Sequence, residues 1–119
     1  MKAVINIKIK NLKRAIEFYT KKLGLVCRRE EKDWAAIQVG DAEIHLYLLG
    51  GITSGLEFYV NDLDNEIKKL KERGINFFSD ETMPNFISVD KNQITTFPWG
   101  RTAFFRDSEG NELAIVKDF

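Results

Sequence analysis

Ile9-Lys10-Asn11-Leu12-Lys13-Arg14-Ala15-Ile16 returns further along the chain as Val60-Asn61-Asp62-Leu63-Asp64-Asn65-Glu66-Ile67, at an offset of 60 − 9 = 51 residues. The two copies share an order of chemistry. An apolar residue ends a strand, an Asn or Asp follows, and two apolar anchors stand one helical turn apart. Asn and Asp start helices because the side-chain oxygen accepts a first-turn N–H that has no partner inside the helix. Apolar residues four apart fall on one helix face. The repeat therefore predicts two strand–helix units. A unit of about fifty residues is too small to bury a sheet face alone, so the two units should act together.

Working outward from the first copy, residues 3–10 alternate and read as a strand. Ile5, Ile7 and Ile9 should face a helix-packed core, and Val4, Asn6 and Lys8 a wetter side. Leu12, Ile16, Tyr19 and Leu23 continue the helical spacing until Gly24, where a left-handed C-terminal residue is easiest for glycine. Strands follow at 25–30, 34–39 and 43–49, with Gly40-Asp41 turning between the last two. Gly50-Gly51 breaks the chain. The second copy then gives a strand at 55–60, a helix capped by Asp62 with Leu63, Ile67 and Leu70 as its stripe, and Gly74 as its end. Strands at 75–79, 101–106 and 112–117 complete it, the last two joined by Asp107-Ser108-Glu109-Gly110-Asn111. Residues 80–96, with Met83, Pro84, Asn85 and Phe86, form the least regular stretch, a lid or a disordered connection.

Length and composition suit one domain, 1–119, made of modules 1–50 and 55–119. Lys+Arg and Asp+Glu are both 18, and the basic residues interleave with acidic ones, which argues against nucleic acid. No run approaches a membrane span, and the alternating N-terminus lacks a signal-peptide core. Cys27, the lone cysteine, reads as a small core or near-core residue in a reduced, cytoplasmic protein.

Two motifs carry a family resemblance. The first is Asn11-Leu12-x-x-Ala15-Ile16-x-Phe18-Tyr19-x-x-x-Leu23-Gly24-Leu25, and the second is Trp99-Gly100-Arg101 leading to Phe105-x-Asp107-Ser108-Glu109-Gly110-Asn111. Together they resemble the vicinal-oxygen-chelate superfamily of glyoxalases, bleomycin-resistance proteins and dioxygenases, with Ser108 and Glu109 in place of the Pro and second Asp of the family's turn. The resemblance implies an α+β fold of two βαβββ modules forming an eight-stranded half-open barrel. It also implies a homodimer.

Metal-dependent members hold a divalent ion with His and Glu ligands, and one side chain cannot offset the dehydration of such an ion. The position of the first ligand, seven before Asn11, is Val4, and its counterpart seven before Asp62 is Gly55. The terminal Glu position, three after Asn111, is Ala114. His45 stands at the fourth. The resemblance therefore implies no metal and no cofactor, and points to the bleomycin-resistance branch, which sequesters a ligand without chemistry. Strand parity sends Tyr47 into the cup with His45, and Glu57 and Tyr59 with Gly55. Trp99, Arg101 and Glu112 join them as candidate ligand-binding residues. Aromatic area with sparse polar groups is what small-molecule sites offer.

The function expected is capture of a small, partly aromatic compound, an antibiotic being one candidate. No nucleophile–base set or phosphate loop supports catalysis. Two alternatives stay open. One is a metal-dependent lyase or isomerase of the glyoxalase type using His45 with Glu57 and Glu112. The other is an interaction module whose cup is filled by its own Trp99 and Phe86.

Overall fold

The computed structural model describes residues 1–79, 82, 84 and 87–119. Its fold is α+β, with one four-stranded and one six-stranded sheet, and it divides into two compact units.

The first unit comprises Met1–Ser54 and the turn Asp107–Asn111. Its elements are β1 (Val4–Lys8), α1 (Leu12–Glu17), β2 (Val26–Glu30), β3 (Trp34–Val39) and β4 (Ala42–Tyr47), in the sheet order β1-β4-β3-β2. This is one βαβββ module, with β1 parallel to β4 and the remaining pairs antiparallel. Ile7, Ile9, Ile37, Ile44 and Leu46 are buried, while Val4, Asn6 and Lys8 are exposed, as the alternation requires. Asn11 caps α1 by accepting from Arg14 N at 3.0 Å.

The predicted helix over 12–23 differs in detail. The α-helix stops at Glu17, and Phe18–Lys22 continues as a π-helical turn, closed by Leu23 N donating to Phe18 O at 3.1 Å. Gly24 follows with φ 76°. The wider turn shifts the buried face. Ala15, Phe18 and Tyr19 are buried, whereas Leu12, Ile16 and Leu23 are half-buried. Cys27 is partly buried and unbridged. Gly51 is the tightest point of the unit. Its φ is +133°, and a Cβ there would lie 2.6 Å from Asn6 O. Only glycine lets Ile52 bridge to β1 beside it, with Ile52 N donating to Asn6 O at 2.8 Å.

The second unit comprises Gly55–Arg106 and Glu112–Phe119. It holds β5 (Ser54–Tyr59) from its second residue on, α2 (Leu63–Glu72), β6 (Phe77–Phe78), β7 (Ser88–Val89), β8 (Ile94–Phe97), β9 (Gly100–Arg106) and β10 (Glu112–Asp118). The sheet runs β5-β10-β9-β8-β7, with β6 on β9. Asp62 caps α2 through Asn65 N at 3.1 Å, and Leu63, Ile67 and Leu70 are buried as the spacing predicts. The repeat also shows in the hydrogen bonds that follow each first strand: Ile9 N donates to Tyr47 O, and Val60 N to Val116 O, both at 3.0 Å.

The stretch 80–96 contains two strands that its sequence did not announce, β7 and part of β8. Ile94 is buried there, and the chain reverses at Asp90, whose carboxylate accepts from Asn92 N and Ile94 N. The lid proposed across this stretch involves Met83, Asn85 and Phe86, which lie outside the described residues.

Candidate functional site

On one face of the first unit's sheet Asn6 is exposed and Trp34, His45 and Tyr47 are half-buried. The hairpin register pairs Trp34 with Tyr47 and Ala36 with His45, and the parallel register pairs Asn6 with His45. Side chains directly and diagonally opposite share a face and touch. Trp34 accordingly stacks on His45, with ring centroids 4.8 Å apart and planes 30° apart. The Arg29 guanidinium lies 5.2 Å from the centre of the Trp34 ring. Asn6, Trp34, His45 and Tyr47 line a depression of about 340 Å³. At its edge His45 Nε2 is 3.7 Å from Glu43 Oε1. The hydrogen bond from Lys2, ahead of the opposing effect of burial, holds the Glu43 carboxyl below its ordinary range.

His45 and Tyr47 thus meet in one depression, together with Asn6. Trp34 was not among the residues expected to bind a ligand. Its signal was present, since counting back across Gly40-Asp41 places it opposite Tyr47.

In the polar turn Asp107–Asn111, Asp107, Glu109 and Asn111 are buried. Asp107 Oδ1 accepts from Glu109 N at 2.8 Å and Asn111 N at 2.9 Å, and Gly110 takes the positive φ of 85°. Tyr19 Oη donates to Asp107 Oδ2 at 2.7 Å. Burial first, then the Asp107 charge, pushes the Tyr19 phenol far above its ordinary range. The Glu109 side chain is wholly covered. It accepts from Lys10 N and Asn11 N at 2.9 Å each, from Arg14 Nε at 2.8 Å, and from the Ser108 hydroxyl at 2.8 Å. Burial alone would raise its pKa. The Arg14 hydrogen bond, followed by the Lys10 and Asn11 amides and Ser108, lowers it to about 2. The Asp107, Glu109 and Asn111 side chains are all tied to the fold, so the turn has a structural role.

In the second unit the remaining candidates separate. Glu57 and Trp99 line a concavity of about 210 Å³ with Arg101, Thr102, Val116 and Asp118. Trp99 is 65% exposed and stacks on Phe97 at 5.0 Å. The Arg101 guanidinium makes a two-pronged pair with Asp64, at 3.2 and 3.0 Å. Tyr59 accepts from Lys117 Nζ at 3.0 Å, and Glu112 pairs with Arg106 at 3.4 Å.

A divalent ion at the family's usual place does not fit these donors. Val4, Gly55 and Ala114 carry no ligating atom, and Ala114 is 2% exposed. Among the described residues no three His, Cys, Asp or Glu side chains come together as a metal-binding group.

Residues 3–115 match the family described as the Glyoxalase/Bleomycin resistance protein/Dioxygenase superfamily. No curated protein matches the chain. Among solved structures, it is similar to TnmS3, an antibiotic binding protein from Streptomyces sp. CB03234, with 20% identity, coverage of 100% of this chain and 96% of the other, and a TM-score of 0.74. A glyoxalase/bleomycin resistance protein from the same organism has 21% identity, coverage of 97% and 98%, and a TM-score of 0.70. Lactoylglutathione lyase from Agrobacterium tumefaciens has 15% identity, coverage of 97% and 91%, and a TM-score of 0.72.

Proposed function

We propose that this chain, which belongs to the Glyoxalase/Bleomycin resistance protein/Dioxygenase superfamily, is a metal-free binding protein that sequesters a small, partly aromatic compound. The observation that carries this reading is the exchange of chemistry at the family's ligand positions. Three of them hold valine, glycine and alanine, and the fourth, His45, is stacked against Trp34. An imidazole in that stack presents a flat π surface, and stacking is worth about 0.5–1.5 kcal/mol beyond area burial. Tyr47 and Asn6 add hydroxyl and amide groups that orient a ligand in the same depression. Without a Lewis acid to polarise an oxygen, isomerisation and ring cleavage of the superfamily's kind have no source of activation. The likeness to an antibiotic binding protein makes an antibiotic the first ligand class to try.

Isothermal titration with aromatic antibiotics, run with and without EDTA, tests the reading. Saturable binding unaffected by EDTA and lowered at least tenfold by Trp34→Ala is expected. Binding abolished by EDTA, or one tightly held transition-metal ion per chain by elemental analysis, overturns it in favour of the metal-dependent alternative. We further propose that the protein works as a cytoplasmic homodimer, the family's common state. Sedimentation equilibrium giving a monomer at micromolar concentration would count against the dimer.

A further inference from the structure

The depression on the first unit's sheet is asymmetric, and the asymmetry bears on the charge of its ligand. The strand order β1-β4-β3-β2 puts β2 and β4 on opposite sides of the strand that carries Trp34. Arg29 reaches the indole from β2, at 5.2 Å from the ring centre, and His45 reaches it from β4, at 4.8 Å between centroids. The imidazole therefore has one face against Trp34 and the other turned towards β1. That second face is the aromatic surface still open to a ligand.

Strand β1 supplies the groups beside it. Asn6 is directly opposite His45, and Lys8 is directly opposite Tyr47. Among the described residues the Asn6 amide, the Lys8 ammonium and the Tyr47 hydroxyl have no hydrogen-bond or ion-pair partner. Other charges on this face are already engaged. Arg29 pairs with Glu31 at 2.7 Å, and Glu43 pairs with Lys2. Glu43 lies opposite Val4, four residues along the ladder from the Lys8–Tyr47 pair, or about 13 Å at the usual strand rise. One end of the depression thus carries an unpaired cation with two further donors, and the acidic residue stands at the other end.

We infer that this depression takes a small aromatic carboxylate, with its ring on the free face of His45 and its carboxylate turned to Lys8. The Asn6 amide and the Tyr47 hydroxyl donate to the same carboxylate. The reverse orientation would bring that charge towards Glu43. A hydrogen bond with an ionised partner is roughly twice as strong as a neutral one, so a carboxylate gains more from these donors than an alcohol does. The volume of about 340 Å³ is at the lower end of the range of about 300–1,000 Å³ usual for ligand pockets, which suits an aromatic part of one or two rings. This inference rests on the aromatic site proposed above and adds the charge and orientation of its ligand.

Naphthoate, naphthylmethanol and naphthylmethylammonium share one ring system and differ in charge. Equilibrium dialysis at low ionic strength is expected to show naphthoate binding at least threefold more tightly than the alcohol and at least tenfold more tightly than the ammonium compound. His45→Ala should weaken naphthoate and the alcohol alike. Lys8 is exposed, so Lys8→Gln should fold normally and weaken naphthoate about threefold, the size an exposed charge pair allows, with the alcohol unchanged. Equal affinities for the three probes, or a naphthoate preference undiminished in Lys8→Gln, overturns the inference. If His45→Ala still weakens all three probes in that case, the aromatic site itself stands. Absence of naphthoate binding overturns the inference whatever the antibiotic titration gives.

Discussion

The two helices begin alike and are secured differently. Asn11 and Asp62 cap them with the same bond to the third residue onward, at 3.0 and 3.1 Å. Beyond that point α2 is held by an apolar stripe, with Leu63, Ile67 and Leu70 all buried, and its side-chain ties Asp64–Arg101 and Lys71–Asn92 are exposed. The start of α1 instead meets a buried carboxylate from a turn some ninety-five residues later in the chain. Glu109 takes up two backbone amides and the Arg14 guanidinium at once. The difference shows that one capping rule can serve two kinds of anchorage. In α2 apolar burial holds the helix in place, and in α1 a fully satisfied polar cluster does.

Removing Glu109 should break the comparison most severely. Glu109→Ala orphans the amides of Lys10 and Asn11 and leaves a void where the carboxylate stood, and a loss of roughly 3 kcal/mol is expected from urea unfolding. The same experiment on Asp64→Ala should cost well under 1 kcal/mol, because that pair is exposed and screened. Comparable losses from the two variants would sink the distinction.

Acid should expose the same asymmetry. The pKa of Glu109 is depressed in the fold, from 4.5 to about 2. Its contribution is therefore fully present above pH 4.5 and is lost as pH falls towards 2. The size is roughly 2 kcal/mol once solvent screening is allowed for. The wild-type protein should lose stability over that window, and Glu109→Gln should show a flatter profile. A profile of identical slope in Glu109→Gln would remove Glu109 from the account.

How much of this was legible in the sequence follows from the range of each interaction. The caps, the α2 stripe, the Gly40-Asp41 hairpin and the 107–111 turn are local, and the pattern of residues 9–16 and 60–67 is enough to read them. The π-helical turn at Phe18–Lys22 was hidden because Leu12, Ile16, Tyr19 and Leu23 also fit an unbroken helix. β7 was hidden because a two-residue ladder has no periodicity. Glu109 looked like a conservative stand-in for an aspartate. Its role depends on the separation between residue 109 and residues 10, 11 and 14, which no local spacing encodes. At the candidate site, parity brought His45 and Tyr47 together correctly. It could not reveal that Arg101 turns to Asp64, because that contact joins a strand to a helix thirty-seven residues away.

The smallest expected effect sharpens the likeness between the helices. If the two copies of the strand–helix unit use their caps equally, Asn11→Ala and Asp62→Ala should each cost about 1 kcal/mol, the usual value of a side-chain cap. Asp62 has Asp64 and Glu66 beside it in the first turn of α2, where their charges already favour the positive end of the helix dipole. The first turn of α1 has no acidic residue of its own, but Glu109 brings a carboxylate to its Lys10 and Asn11 amides. In the Glu109→Gln background Asn11→Ala should therefore become costlier by a few tenths of a kcal/mol, while Asp62→Ala is unchanged. That coupling, read by a double-mutant cycle, isolates the carboxylate's support of α1 from the cap itself.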